Sequence, residues 1–154
     1  MCLTVFVAAD KPLPLIEYDP AAPAFNVHEV WPEAQPVRQH FSKPFVYSLG
    51  AQGGCACGFG YGPDEEERKL VEDLTVPEDI RREFLLDYEA RKETVKLLRQ
   101  FLGNALADTQ SVELYGCWYG SWHKEAESER TVTLHHFGGE AFRFEEQELL
   151  TVVD

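Results

Sequence analysis

The segment Gly53-Gly54-Cys55-Ala56-Cys57-Gly58-Phe59-Gly60 places two thiols one residue apart in a glycine-rich loop. Glycines let main-chain amides turn toward a thiolate, and this spacing lets both sulfurs reach one acceptor. Two further cysteines complete the set: Cys2 at the head of an apolar run, and Cys117 at the end of a later one. If all four converge, the natural chemistry is a tetrahedral zinc site of four thiolates, with Zn–S bonds near ~2.3 Å. Iron in a rubredoxin-like site uses the same donors. Amides of Gly54, Gly58 or Gly60 can then donate to the sulfurs and ease the negative charge of such a centre. His123, shortly beyond Cys117, is the reserve ligand should one thiol fail to reach.

Two other readings use the same residues. The Cys55-x-Cys57 loop can act as a redox pair, although a disulfide across one intervening residue is strained and therefore oxidising. The basic residues nearest in sequence, Lys43 and Arg68, are too few to make the loop electropositive, and a depressed thiol pKa needs such a setting. The plainest alternative makes Cys2 and Cys117 small buried hydrophobes, with the CxC in a turn. Separately, Met1-Cys2 at the head of an apolar strand resembles the start of Ntn-type amidotransferases and related hydrolases. That resemblance covers only those few residues and implies Cys2 as an amino-terminal nucleophile in a four-layer sandwich. The chain is short for that fold, and no Asn-Arg-Asp-Glu run follows.

The elements that must position these thiols are legible in the apolar patterning. Leu3 to Ala9 is apolar and rich in β-branched and aromatic residues, which predicts a buried strand. A proline-rich connection from Lys11 to Pro23 follows, expected to run extended over the surface. Phe25 to Val30 alternates, with Asn26 and His28 expected outward, and Pro44 to Leu49 is a further strand ended by Gly50. Thr75-Val76-Pro77-Glu78 matches a capping box with proline in the first turn. Beyond it Ile80, Phe84, Tyr88, Val95, Leu98 and Leu102 recur at helical spacing, predicting one long amphipathic helix to about Leu102, with Gly103-Asn104 as C-cap. Strand signals return at Val112–Tyr115, Thr131–Leu134, Phe142–Phe144 and Leu149–Val153. His135 and His136, read as part of a strand, would point to opposite faces.

The expected fold is therefore α+β. Residues 1–154 form a single domain, in which a mixed β-sheet of about five to six strands packs on one long helix. The strand before the helix and the strand after it should lie parallel in one sheet, with their carboxyl ends on one edge. Cys55, Cys57 and Cys117 leave from those ends, and Cys2 joins them if the first strand runs antiparallel to both.

Fourteen basic and 27 acidic residues give a net charge of −13, which disfavours nucleic acid and an anionic membrane surface as partners. A basic protein partner remains open, as acidic inhibitors and toxin-neutralising immunity-like proteins have, and so does plain solvation of the acidic runs. The first apolar run is too short to span a bilayer and lacks a positive leader, so the expected location is cytoplasmic. In a reducing cytosol free or metal-bound cysteines are the rule. No P-loop, Rossmann glycine fingerprint, HExxH or G-x-S-x-G occurs, which leaves catalysis unassigned. A small cytoplasmic metal-binding protein, with zinc held by Cys2, Cys55, Cys57 and Cys117, is the expectation.

Overall fold

Strand β1, Leu3–Ala9, is buried on both faces, and its period-2 alternation builds two cores at once. A computed structural model describes residues 2–21, 25–51, 55–60, 65–139 and 142–154. Val5, Val7 and Ala9 point to one side of the sheet, where they meet Val95, Leu98, Leu102 and Leu106 of a long helix. Phe6 and Ala8 point to the other side, onto Val30, Ala34, Val37 and Trp122. The remaining strands are β2 (Asn26–Glu29), β3 (Phe45–Gly50), β4 (Val112–Trp118), β5 (Ser128–Thr133) and β6 (Glu148–Val153). They form one six-stranded sheet in the order β2-β3-β1-β4-β6-β5, antiparallel except for the β5–β6 pair. The fold is thus α+β with a mixed sheet, as expected. Among the described residues a single sheet takes the place of the layered sandwich implied by the Met-Cys resemblance.

β1 runs antiparallel to both β3 and β4, with Val5 opposite Leu49 and Leu3 opposite Trp118. β3 and β4 therefore run in the same direction, and their carboxyl ends share an edge with the amino end of β1. This arrangement supports the topological part of the thiol hypothesis.

Several local expectations are corrected. Helix α2 spans Glu78–Leu106, and a shorter helix, α1 (Glu65–Glu72), precedes it where only an acidic run was read. The capping box does not form: Pro77 is the N-cap without a side-chain bond. Thr75 instead donates its main-chain N–H (2.8 Å) and its hydroxyl (2.7 Å) to Oδ1 of Asp73, a local turn that outcompetes the helix for the threonine. At the far end the helix runs through Gly103 and Asn104, because burial of Leu106 extends the packed stripe by another turn. Asn26, expected outward, is buried. Phe142–Phe144 makes only an isolated bridge, Arg143 to Gly60, and His135 and His136 lie in a 3-10 turn, Leu134–Gly138, rather than a strand. Another 3-10 segment, Pro32–His40, roofs the second core.

The helical stripe is buried only from Tyr88 onward, whereas Ile80 is exposed. Length explains this. A helix of 29 residues is about 43 Å long. Strands of six or seven residues reach only about 20–24 Å. The first turns of α2 overhang the sheet.

Leu98 is fully buried and Leu86, on the overhang, is 62% exposed. Leu98→Ala should cost about 2–5 kcal/mol in urea denaturation and Leu86→Ala less than about 0.5. Equal losses would refute the overhang.

Candidate metal centre

The CxC segment reaches the amino end of β1 through main-chain pairing. The Ala56 N–H donates to the Leu3 carbonyl at 2.9 Å, and the Ala51 N–H donates to the Cys55 carbonyl at 2.8 Å. A turn follows, closed by the Phe59 N–H on the Ala56 carbonyl at 3.0 Å, with Cys57 and Gly58 at its centre. Glycine is required at position 58 by close approach: a Cβ there would sit 2.9 Å from that of Ala51. Ala56 and Phe59 bury into the helix-side core and anchor the loop. Gly53 and Gly54 lie outside the described residues.

This pairing carries the sulfurs of Cys55 and Cys57 to that of Cys2, and all three lie within 4.8 Å of one another. They are close enough to hold a metal ion. A tetrahedral zinc ion with Zn–S bonds of ~2.3 Å requires sulfurs ~3.8 Å apart, so a contraction of at most about an ångström suffices. Cys2 and Cys57 are exposed and Cys55 is half-buried, which places the site on the surface. Among the described residues main-chain amides do donate to the sulfurs, those of Leu3 and Cys57 rather than of Gly58 or Gly60; Gly54 lies outside the described residues. The Leu3 N–H reaches Sγ of Cys57 and the Cys57 N–H reaches Sγ of Cys55, each at 3.3 Å.

Cys117 stands outside this group. It pairs across the ladder with Thr4, whose hydroxyl donates to the Cys117 carbonyl at 2.8 Å and lies 3.5 Å from its sulfur. Both side chains face away from the helix, and Cys117 is fully buried beside Phe6 and Tyr115. Burial pushes its thiol pKa up, the first of its causes. The shared edge was anticipated; strand alternation then sends this thiol to the opposite face. His123, the reserve ligand, is exposed and also outside the group, and its carbonyl accepts a bond from Nε2 of Gln39 at 3.1 Å.

The electrostatic surroundings also differ from the sequence expectation. Lys43 pairs with Asp10 at 2.6 Å, beyond the opposite end of β1. The basic groups that share a pocket with Cys57 are Arg91 of α2 and Arg143. No spacing rule connects them to the CxC. The one sequence signal is the alternation Phe142-Arg143-Phe144, which buries both phenylalanines and leaves the arginine exposed between them.

Desolvation, together with the neighbouring Cys57 and Cys2 thiols, pushes the Cys55 pKa up to about 12. An ordinary cysteine titrates near ~8.5. A raised pKa lowers the thiolate fraction at neutral pH, so Cys55 in metal-free, reduced protein should react with iodoacetamide at least tenfold more slowly than free cysteine at pH 7.5. Its rate should still be climbing at pH 10, as read by peptide mass spectrometry. A rate that levels off below pH 9 would contradict this environment.

No protein-family model, curated protein or solved structure matches this chain, so its function must be read from its own chemistry.

Proposed function

We propose that the protein binds a single thiophilic metal ion, zinc, through Cys2, Cys55 and Cys57. The observation that carries this reading is the mutual approach of three sulfurs from two remote segments to within 4.8 Å. Three soft donors suit zinc, and iron accepts the same set. This differs from the four-cysteine centre expected from sequence. Among the described residues no fourth donor joins the three sulfurs; with a water or an external ligand in that position the centre has the pattern of a zinc site open to chemistry rather than a closed structural one.

The metal would also hold the fold together at this edge. It would pin the amino end of β1 to the loop after β3, where the Ala56–Leu3 and Leu3–Cys57 hydrogen bonds already join them. Zinc binding to thiolates in small domains is worth on the order of 10 kcal/mol at neutral pH, comparable with the net stability of a whole domain. Even a hundredfold excess of free zinc over its Kd would add about 2.7 kcal/mol.

The redox alternative is the weaker reading. A thiol with a pKa near 12 is a poor nucleophile at neutral pH, and Cys55 is such a thiol in the absence of metal. No helix is long and apolar enough to cross a membrane among the described residues, consistent with the cytoplasmic placement that we also propose.

Protein purified without added metal should contain close to one equivalent of zinc by elemental analysis. Cys57→Ser should lower that content at least tenfold and lower Tm by about 5–10 °C. Cys117→Ala should leave the zinc content unchanged, whatever it does to stability. A wild-type stoichiometry near zero, or equal zinc loss in both variants, would overturn the proposal.

A further inference from the structure

Strand β1 has the thiols at its amino end and a second group of polar side chains past its carboxyl end. There Oδ2 of Asp10 accepts hydrogen bonds from the Lys43 ammonium at 2.6 Å and from the Thr109 hydroxyl at 2.8 Å. This clamps the start of the proline-rich connection to the chain just beyond α2. The residues beside the clamp, Lys11 and Asp108, thereby come to one pocket of about 210 Å³. Its wall is held as well. Pro12 and Pro14 restrict the backbone, the Leu13 N–H donates to the Tyr47 hydroxyl at 3.2 Å, and Ile16 pairs with Val27 beyond them. Leu13 and Phe101 give the pocket an apolar face, and Asn104 stands at its edge.

Lys11 and Asp108 line the same pocket without pairing with each other, and neither side chain has a hydrogen-bond or ion-pair partner among the described residues. An open ammonium and an open carboxylate in one pocket suit a ligand that carries both charges. Helix α2 ends here with no basic residue in its last turn, so its negative end reinforces Asp108 as the place for a cation. The volume is below the ~300–1,000 Å³ usual for drug-sized ligands, so the occupant is small. We propose that this pocket binds a free α-amino acid with a compact apolar side chain. The ligand's ammonium meets Asp108, its carboxylate meets Lys11, and its side chain lies against Leu13 and Phe101. The whole of β1 separates this pocket from the thiols, so the site stands independently of the zinc reading.

The test is isothermal titration of the full chain with L-leucine and with two analogues that each lack one charge. Isoamylamine lacks the carboxylate, and isocaproate lacks the ammonium. L-Leucine should bind at least about tenfold more tightly than either, because each of its charges gains a charged partner. Lys11→Gln should bring leucine down to the level of isoamylamine, and Asp108→Asn should bring it down to the level of isocaproate. Both positions are exposed, so the fold is retained in each variant. Either analogue binding the wild-type chain as tightly as leucine, or a preference that survives both substitutions, would overturn recognition by the two charges. Glycine binding as tightly as leucine would overturn the apolar part of the site. No heat of binding from leucine would remove the site altogether.

Discussion

The position of β1 at the middle of the sheet, antiparallel to a neighbour on each side, is the constraint on which the rest of the molecule depends. A strand in that position satisfies its main-chain groups on both edges and buries its side chains on both faces, so its sequence must be apolar almost without interruption. Leu3 to Ala9 meets that demand, with Thr4 as the one polar member, and its hydroxyl finds the Cys117 carbonyl. Because both neighbours run opposite to β1, whatever leaves the carboxyl ends of β3 and β4 emerges beside its amino end. The thiol cluster is a consequence of strand direction before it is a consequence of cysteine chemistry.

The face of the sheet away from the helix has its own logic. It is roofed by the 3-10 segment Pro32–His40 and by aromatic contacts rather than by a regular helix, with Trp31 edge-on to Trp122 at 5.8 Å and His40 against Tyr115 at 4.4 Å. Two polar groups that enter this layer are satisfied there, whereas the buried Nε1 of Trp31 has no hydrogen-bond partner among the described residues. The Glu113 carboxylate, nearly buried, accepts bonds from the main-chain N–H and the hydroxyl of Ser42. The Tyr115 hydroxyl donates to the Lys124 carbonyl at 2.7 Å. Cys117 belongs to this layer as a small, inert, buried thiol.

Strand positions and the shared edge were legible because period-2 alternation and the rule for parallel crossovers act over short, local stretches. Which face each thiol takes was not, because that depends on cross-strand register: Cys117 opposite Thr4 is a fact about pairing, not about spacing. The capping box failed for a similar reason. Thr75 had two acceptable partners, and Asp73 lies two residues away on the side that propensity rules ignore. Asn26 read as outward from alternation alone, yet it pairs with Gly50, where a Cβ would come within 2.3 Å of its Oδ1. A missing side chain on one strand opened the space that its neighbour fills. Arg91 and Arg143 come to the pocket that Cys57 lines from a helix and an irregular segment far along the chain, and no local pattern announces such a meeting.

Three thiolates within 4.8 Å of one another repel, and the pKa of Cys55 is raised first by desolvation and then by its Cys57 and Cys2 neighbours. Protons and a metal therefore compete for the same atoms. Protons leave three separate thiols, of which Cys57 is tied to β1 by the Leu3 amide and Cys55 to its own loop by the Cys57 amide, whereas one divalent ion would bridge all three sulfurs and cross-link the strand to its neighbouring loop. A centre of three thiolates and one divalent cation retains a single negative charge, and in a chain this acidic that charge needs local compensation. Arg91 and Arg143 share a pocket with Cys57. The carboxylate pairing of Arg91 to Asp87 and Glu67 fixes one guanidinium beside the site at the expense of some of its field.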